Sequence, residues 1–247
     1  MLIVANWKAY VEDLPKAKKL FAVSKSHAKK NINTIVLAPP APFLGALAVG
    51  NTSAVAFAAQ DVSATLGGAQ TGEATAQAYA GIGATYAIIG HSERRAAGDT
   101  DALVAEKLAR ALAHGLVPIL CVGERERDGE GRYLSFVREE LTVALESLTP
   151  KEREKVIVAY EPIWAIGKTA ADAITSDDLT EMALYIRKVL AELVPGKRGE
   201  RFLVLYGGSV EPENARNLAE NSGIDGFLIG HASVDVRIFG ALVKNLT

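Results

Sequence analysis

Four polar side chains stand directly behind short apolar runs, where a buried strand would deliver them to one end of a sheet. Glu161 follows the run 156–160 and opens the segment "EPIWAIG". A carboxylate in that place can act as a general base. Pro162 and Trp164 make a stiff hinge, and the small residues Ala165-Ile166-Gly167 make a pliant tip. A lid of this kind excludes water when it closes over a base. The bland reading is a strand-end carboxylate paired with a lysine. His91 follows Gly90 at the end of the run 86–89, ahead of "SERR". Asn6 and Lys8 follow the run 2–5 in "NWK". An imidazole and an ammonium beside a base can stabilise developing oxyanions, although a histidine can also be structural and a lysine can merely close a barrel mouth. His27 and His114 fall on helical stretches and receive no role.

Two glycine turns, "YGGSV" and "GHAS", follow the last two apolar runs. Small residues let backbone N–H groups approach an anion closely. Read blandly, they are ordinary turns; as a pair on successive strands they suit a phosphate. Cys121 in "ILCVGE" has no histidine near it in sequence and reads as an inert buried thiol. No spacing typical of zinc or calcium ligands occurs, so no metal or cofactor is expected. One base, one imidazole, one cation, a phosphate cradle and a lid suit proton abstraction next to a carbonyl in a small phosphorylated compound.

Elements must bring these groups together. Eight runs, 2–5, 35–38, 54–58, 86–89, 118–122, 156–160, 202–206 and 226–229, are apolar throughout. Strands of a parallel sheet covered on both faces look like this. Helical stretches lie between most of them. "SDDLTEMALYIRKVLAEL" predicts a helix with Ser176 as N-cap and apolar residues at helical spacing. "DTDALVAEKLARALAHG" predicts another, stopped at Gly115. The connection between the second and third runs is short and rich in Gly and Ala, and its helical signal is weaker. An open doubly wound sheet and a closed (βα)8 barrel both fit such alternation. The count of eight and the length of 247 residues favour the barrel. No G-x-G-x-x-G follows the first run, which weakens a dinucleotide-binding alternative. No composition break divides the chain, so residues 1–247 read as one α/β catalytic domain. In a barrel, strand C-terminal ends carry the active site, and the groups above all fall there.

The chain is 49% hydrophobic and 23% charged, enough apolar material for one large core. A formal net charge of -2 gives no sign of a nucleic-acid or anionic-membrane surface. The single cysteine precludes an intrachain disulfide and suits a reducing compartment. The segment "MLIVANWKAYVEDL" lacks the features of a signal peptide, and no run is long enough to span a membrane. A cytoplasmic location is the expectation.

"ANWK", "IIGHSERR", "LCVGE", "AYEPIWAIG", "LYGGSV" and "DGFLIG", in this order, resemble the triosephosphate isomerase family. The match covers nearly the whole chain. The resemblance implies a closed (βα)8 TIM barrel that interconverts dihydroxyacetone phosphate and glyceraldehyde 3-phosphate. It implies that Glu161 moves a proton between C1 and C2, and that a neutral His91 serves the two substrate oxygens. Lys8 would stabilise negative charge, Asn6 would hydrogen-bond nearby, and Glu93 would support Lys8. Backbone N–H groups at Gly167, Ser209, Gly230 and His231 would hold phosphate. "GGAQTGE", residues 67–73, is similar to the loop this family buries in a second subunit. A homodimer is therefore expected, with Thr71 near the neighbour's Asn6 and His91.

Two departures stand out. The lid runs "AIGKTAADAITSDD" where the family usually has A-I-G-T-G-K-T-A. This predicts a redrawn hinge at 168–173, with Tyr206 and Ser209 as latches. His231 occupies the place of a second glycine. Its imidazole titrates near neutrality and either reaches the phosphate or faces solvent. Two other readings remain open. A phosphosugar aldolase or epimerase is one, although an aldolase needs a Schiff-base lysine where this chain has Glu161. A non-catalytic phosphate-binding relative with an altered lid is the other.

Overall fold

Eight parallel strands alternate with helices and close into a barrel in the order β1 to β8, with β8 pairing back onto β1. The computed structural model describes residues 1–28, 33–167, 174–194 and 202–246. The elements are β1 Leu2–Asn6, α1 Leu14–Ala28, β2 Thr34–Ala38, α2 Ala41–Ala48, β3 Ala56–Ala59, α3 Ala76–Gly81, β4 Tyr86–Ile89, α4 Ser92–Ala96 and α5 Asp101–Ala113. They continue as β5 Val117–Val122, α6 Arg132–Glu146, α7 Pro150–Arg153, β6 Ile157–Tyr160, α8 Ser176–Leu193, β7 Val204–Tyr206, α9 Pro212–Asn221, β8 Gly226–Ile229 and α10 Val236–Asn245. The chain is thus a closed (βα)8 TIM barrel, as expected, and the open sheet is excluded.

Both faces of each strand are buried, which explains the uninterrupted apolar runs. Val4, Val36, Ala58, Ile88, Ile119, Ala159, Leu205 and Leu228 belong to the cluster that fills the barrel. Their neighbours along the chain, among them Ala5, Leu37, Phe57, Ile89, Leu120, Val158 and Phe227, pack against the surrounding helices. Alternation between two apolar environments leaves no polar period to read.

The helices begin and end for local reasons. Thr100 caps α5 by accepting from Leu103 N–H at 3.2 Å, and Gly115 takes a left-handed φ of 77° just past its end. For α8 the cap is Thr175, which accepts from Asp178 N–H at 3.1 Å. Ser176, the expected cap, is its first helical residue. Both residue types cap well, and only the backbone angles distinguish them. The weak signal between β2 and β3 is a real helix, α2, with Leu44, Leu47 and Ala48 buried. No helix among the described residues is long and apolar enough to cross a membrane.

Candidate active site

The strand ends converge on a cavity of about 320 Å³ lined by Asn6, Lys8, His91, Glu161, Gly167, Ser209, Gly230 and His231, among others. All eight residues expected at a substrate site thus meet in one place. Glu93 stands beside it through Lys8, and Thr71 lies elsewhere, exposed on the loop between β3 and α3.

Glu161 is buried immediately after β6. One carboxylate oxygen accepts from Ser92 N–H at 3.1 Å, and the other faces His91 Nε2 at 3.2 Å. These contacts hold the buried charge. His91 Nδ1 accepts from Glu93 N–H at 3.1 Å. That nitrogen is therefore unprotonated, and a neutral ring carries its hydrogen on Nε2, aimed into the cavity. The tautomer follows from a backbone turn, since His91 is the N-cap of α4.

Lys8 Nζ bonds Glu93 Oε1 at 2.7 Å, with 60% of the Glu93 side chain exposed. Solvent keeps such a pair weak, worth about 0–1 kcal/mol, so the ammonium remains available to a ligand. Lys8 has a left-handed φ of 45°, an unfavourable conformation for a side-chain-bearing residue. Its surroundings hold it there: Lys8 N–H donates to Asn6 Oδ1 at 3.1 Å, and Gln60 Nε2 donates to Lys8 O and Ala38 O, both at 2.9 Å. Asn6 and Gln60 thereby aim Lys8. Gln60 escaped the sequence reading because nothing in its local pattern marks it.

The glycine pair after β7 has a purpose beyond anion approach. A Cβ at Gly207 would lie 2.7 Å from Glu161 Cγ, and one at Gly208 would lie 2.2 Å from the Tyr206 hydroxyl. The turn makes room for the Glu161 side chain and for a buried phenol. Burial pushes the Tyr206 phenol above its usual range; the hydroxyl faces the N–H groups of Ile174 and Ser209, without a hydrogen bond of regular geometry. Ser209 Oγ donates to Ala165 O at 3.1 Å, tying the turn to the lid segment. The expected second hinge at 168–173 lies outside the described residues.

The segment expected to serve as the first hinge is well anchored. Ile163–Ala165 form a 3-10 turn behind Pro162. Trp164 Nε1 and Tyr160 OH both donate to Glu124 Oε1, at 2.8 and 2.7 Å. Arg127 lies over the Trp164 ring at 5.6 Å and bonds Asp178 Oδ1 at 2.9 Å. Glu124 ends the quoted motif "LCVGE", and its place past β5 was the available signal. The Cys121 thiol is pushed up by burial and then by the charge of Glu161, so it is no nucleophile at neutral pH.

His231 is exposed, and its ring meets Tyr10 edge-on at 5.8 Å between centroids. The ring has a protein partner of its own at the cavity rim. His231→Gly is accordingly expected to change KM for a phosphorylated substrate by less than about threefold, a difference under ~1 kcal/mol. Steady-state kinetics check this, and a larger rise would show that the imidazole itself holds phosphate.

A (βα)8 barrel whose strand ends bring together a buried carboxylate, an imidazole and a lysine has the groups that an enzyme of proton transfer needs. The triosephosphate isomerase family model matches residues 1–246. The chain is 41% identical to a triosephosphate isomerase of Cupriavidus necator, over 98% of this chain and 97% of that protein. It is 40% identical to one of Thermus thermophilus, covering 99% and 98%, and 36% identical to one of Fusobacterium nucleatum, covering 99% and 98%. The chain belongs to the triosephosphate isomerase family.

Proposed function

We propose that this protein, acting as one catalytic domain, interconverts dihydroxyacetone phosphate and D-glyceraldehyde 3-phosphate. The observation that carries the reading is the facing pair Glu161 Oε1 and His91 Nε2, 3.2 Å apart in a cavity that also holds Lys8. A substrate entering there would separate the pair. Glu161 would then take the proton from the carbon next to the carbonyl, and the electron pair would become an enediolate. His91 Nε2–H would donate to the enediolate oxygens and exchange a proton between them. Lys8 Nζ would stabilise the charge that develops, with Asn6 fixing its geometry and Glu93 restraining it. Return of the proton from Glu161 to the adjacent carbon completes the isomerisation. N–H groups at Gly167, Ser209, Gly230 and His231 would bind the phosphate. The lid would exclude water, because an exposed enediolate expels phosphate.

A coupled assay that consumes one triose phosphate as it forms tests the reading. Isomerisation that saturates with substrate is expected. Its absence would favour a non-catalytic phosphate-binding barrel.

A homodimer is proposed on the loop between β3 and α3. Residues 66–74 are exposed, and Leu66 is 81% exposed with no packing of its own. Burying such a leucine against a second copy would contribute roughly 1.5–3 kcal/mol. Thr71 would approach the neighbour's Asn6 and His91. Sedimentation at micromolar concentration is expected to give a dimer, and an active monomer would contradict this.

A further inference from the structure

A second charged cluster lies behind the reacting groups, on the helix side of β4, β5 and β6. Glu140 on α6 is 4% exposed, and its Oε2 accepts from Gly123 N–H at 2.8 Å. Its Oε1 faces Arg95 Nη1 at 3.4 Å. Arg95 donates from Nε to Gly90 O at 2.8 Å and from Nη2 to Cys121 O at 3.5 Å, and pairs also with Asp101. One guanidinium therefore joins the ends of β4 and β5. Gly90 is the residue before His91. Gly123 touches Glu161 so closely that a Cβ there would lie 1.9 Å from Glu161 O. A void of about 10 Å³, lined jointly by Arg95, Cys121, Gly123 and Glu161, separates the cluster from the base.

We propose that Glu140 and Arg95 are positioning residues of the isomerase site. Ionised Glu140 holds Arg95 and the Gly123 N–H, and through them sets the backbone that carries His91 and supports Glu161. The proposal rests on the isomerase reading above. Neither side chain touches substrate. A gap of one ångström in such a site can cost about 10²-fold in rate, so a looser clamp is visible in kcat.

The clamp has a titratable half. Burial raises the Glu140 carboxyl to about 7, against the pull of Arg95 and the Gly123 N–H, and Asp101 and Glu161 add to the rise. Arg125, from the segment after β5, lines the same 750 Å³ cleft as Arg95, Asp101 and Glu140. The other helix beside α6 is α8, whose acids Asp178, Glu181 and Glu192 bond Arg127, Tyr133 and Arg138 instead. Above pH 7 Glu140 is therefore charged and the clamp is closed; below it the proton neutralises Glu140 and the hold on Arg95 weakens.

Glu140→Gln imitates the protonated acid and keeps an acceptor for Gly123 N–H. Its kcat should fall about tenfold at pH 9, a displacement of roughly half an ångström on the scale above, with KM within about twofold. The deficit should shrink to about one at pH 5.5, where wild-type Glu140 is itself protonated, with a midpoint near pH 7. Taking the ratio of the two proteins cancels the titration of the substrate phosphate, which both share. Arg95→Lys keeps a charge for Glu140 but cannot reach both Gly90 O and Cys121 O. It should lower kcat at every pH, and it carries the test if the glutamine variant does not fold. A deficit in Glu140→Gln that is independent of pH, or wild-type kcat in either folded variant, would overturn the proposal alone. An inactive wild-type protein would overturn the isomerase reading and the proposal with it.

Discussion

Glu161→Gln is expected to lower kcat by about 10²–10⁴-fold, the usual contribution of a positioned general base. The amide keeps the shape of the carboxylate. Its oxygen can still accept from Ser92 N–H or from His91 Nε2–H, the two donors that hold the glutamate. What it loses is the ability to take a proton from carbon. Glu161 is 2% exposed, and the amide NH2 would face whichever donor its oxygen leaves, so thermal unfolding is measured beside the kinetics to show that the loss is catalytic. KM and the binding of 2-phosphoglycolate, whose carboxylate has the two-oxygen shape of the enediolate, should change far less than kcat. A loss under about tenfold would mean that another group is the base.

Lys8→Met is expected to lower kcat/KM by about 10²–10³-fold, the scale on which a single donor to a developing oxyanion acts. Methionine keeps most of the apolar stem, which runs 3.3 Å from the place a Cβ on Gly230 would occupy. Removing Nζ leaves Glu93 without its 2.7 Å partner, but the Glu93 side chain is 60% exposed and water replaces the contact. Stability should therefore change by less than about 1 kcal/mol, and thermal unfolding checks that the loss is catalytic. Wild-type kcat/KM would show that Lys8 only closes the cavity mouth.

The strands were legible because both of their faces are buried, so every position carries the same apolar signal. Edges were less so. The third strand is Ala56–Ala59, although the apolar run begins at 54, and the seventh is Val204–Tyr206, although the run begins at Phe202. Val55 and Phe202 are buried ahead of those ladders, whereas Ala54 and Leu203 are exposed, so apolar residue type alone did not mark where the hydrogen-bonded strand begins. Asn6, Lys8, His91 and Glu161 could be picked out because a barrel turns sequence position into place: residues just past strand ends share one face. Groups that act through the backbone could not be found that way. Ser92 contributes an N–H that any residue could supply. Gly207 matters because of where the Glu161 Cγ lies, a contact across 46 residues. Glu140 sits mid-helix among solvated-looking charges in "VREEL", and nothing local separates it from its exposed neighbour Glu139. Gln60 and Arg95 likewise gain meaning only from partners far along the chain.

The most direct test follows the hydrogen that Glu161 is assigned to carry. D-Glyceraldehyde 3-phosphate is incubated with the protein in heavy water, and the dihydroxyacetone phosphate formed is examined by proton NMR. A single base that takes the proton from C2 and returns it to C1 can exchange it with solvent in between. The account predicts that wild-type protein forms dihydroxyacetone phosphate carrying deuterium at C1, and that Glu161→Gln at equal concentration forms it at least about 10²-fold more slowly. No product with the wild-type protein, or product formed equally fast by the glutamine variant, would contradict it.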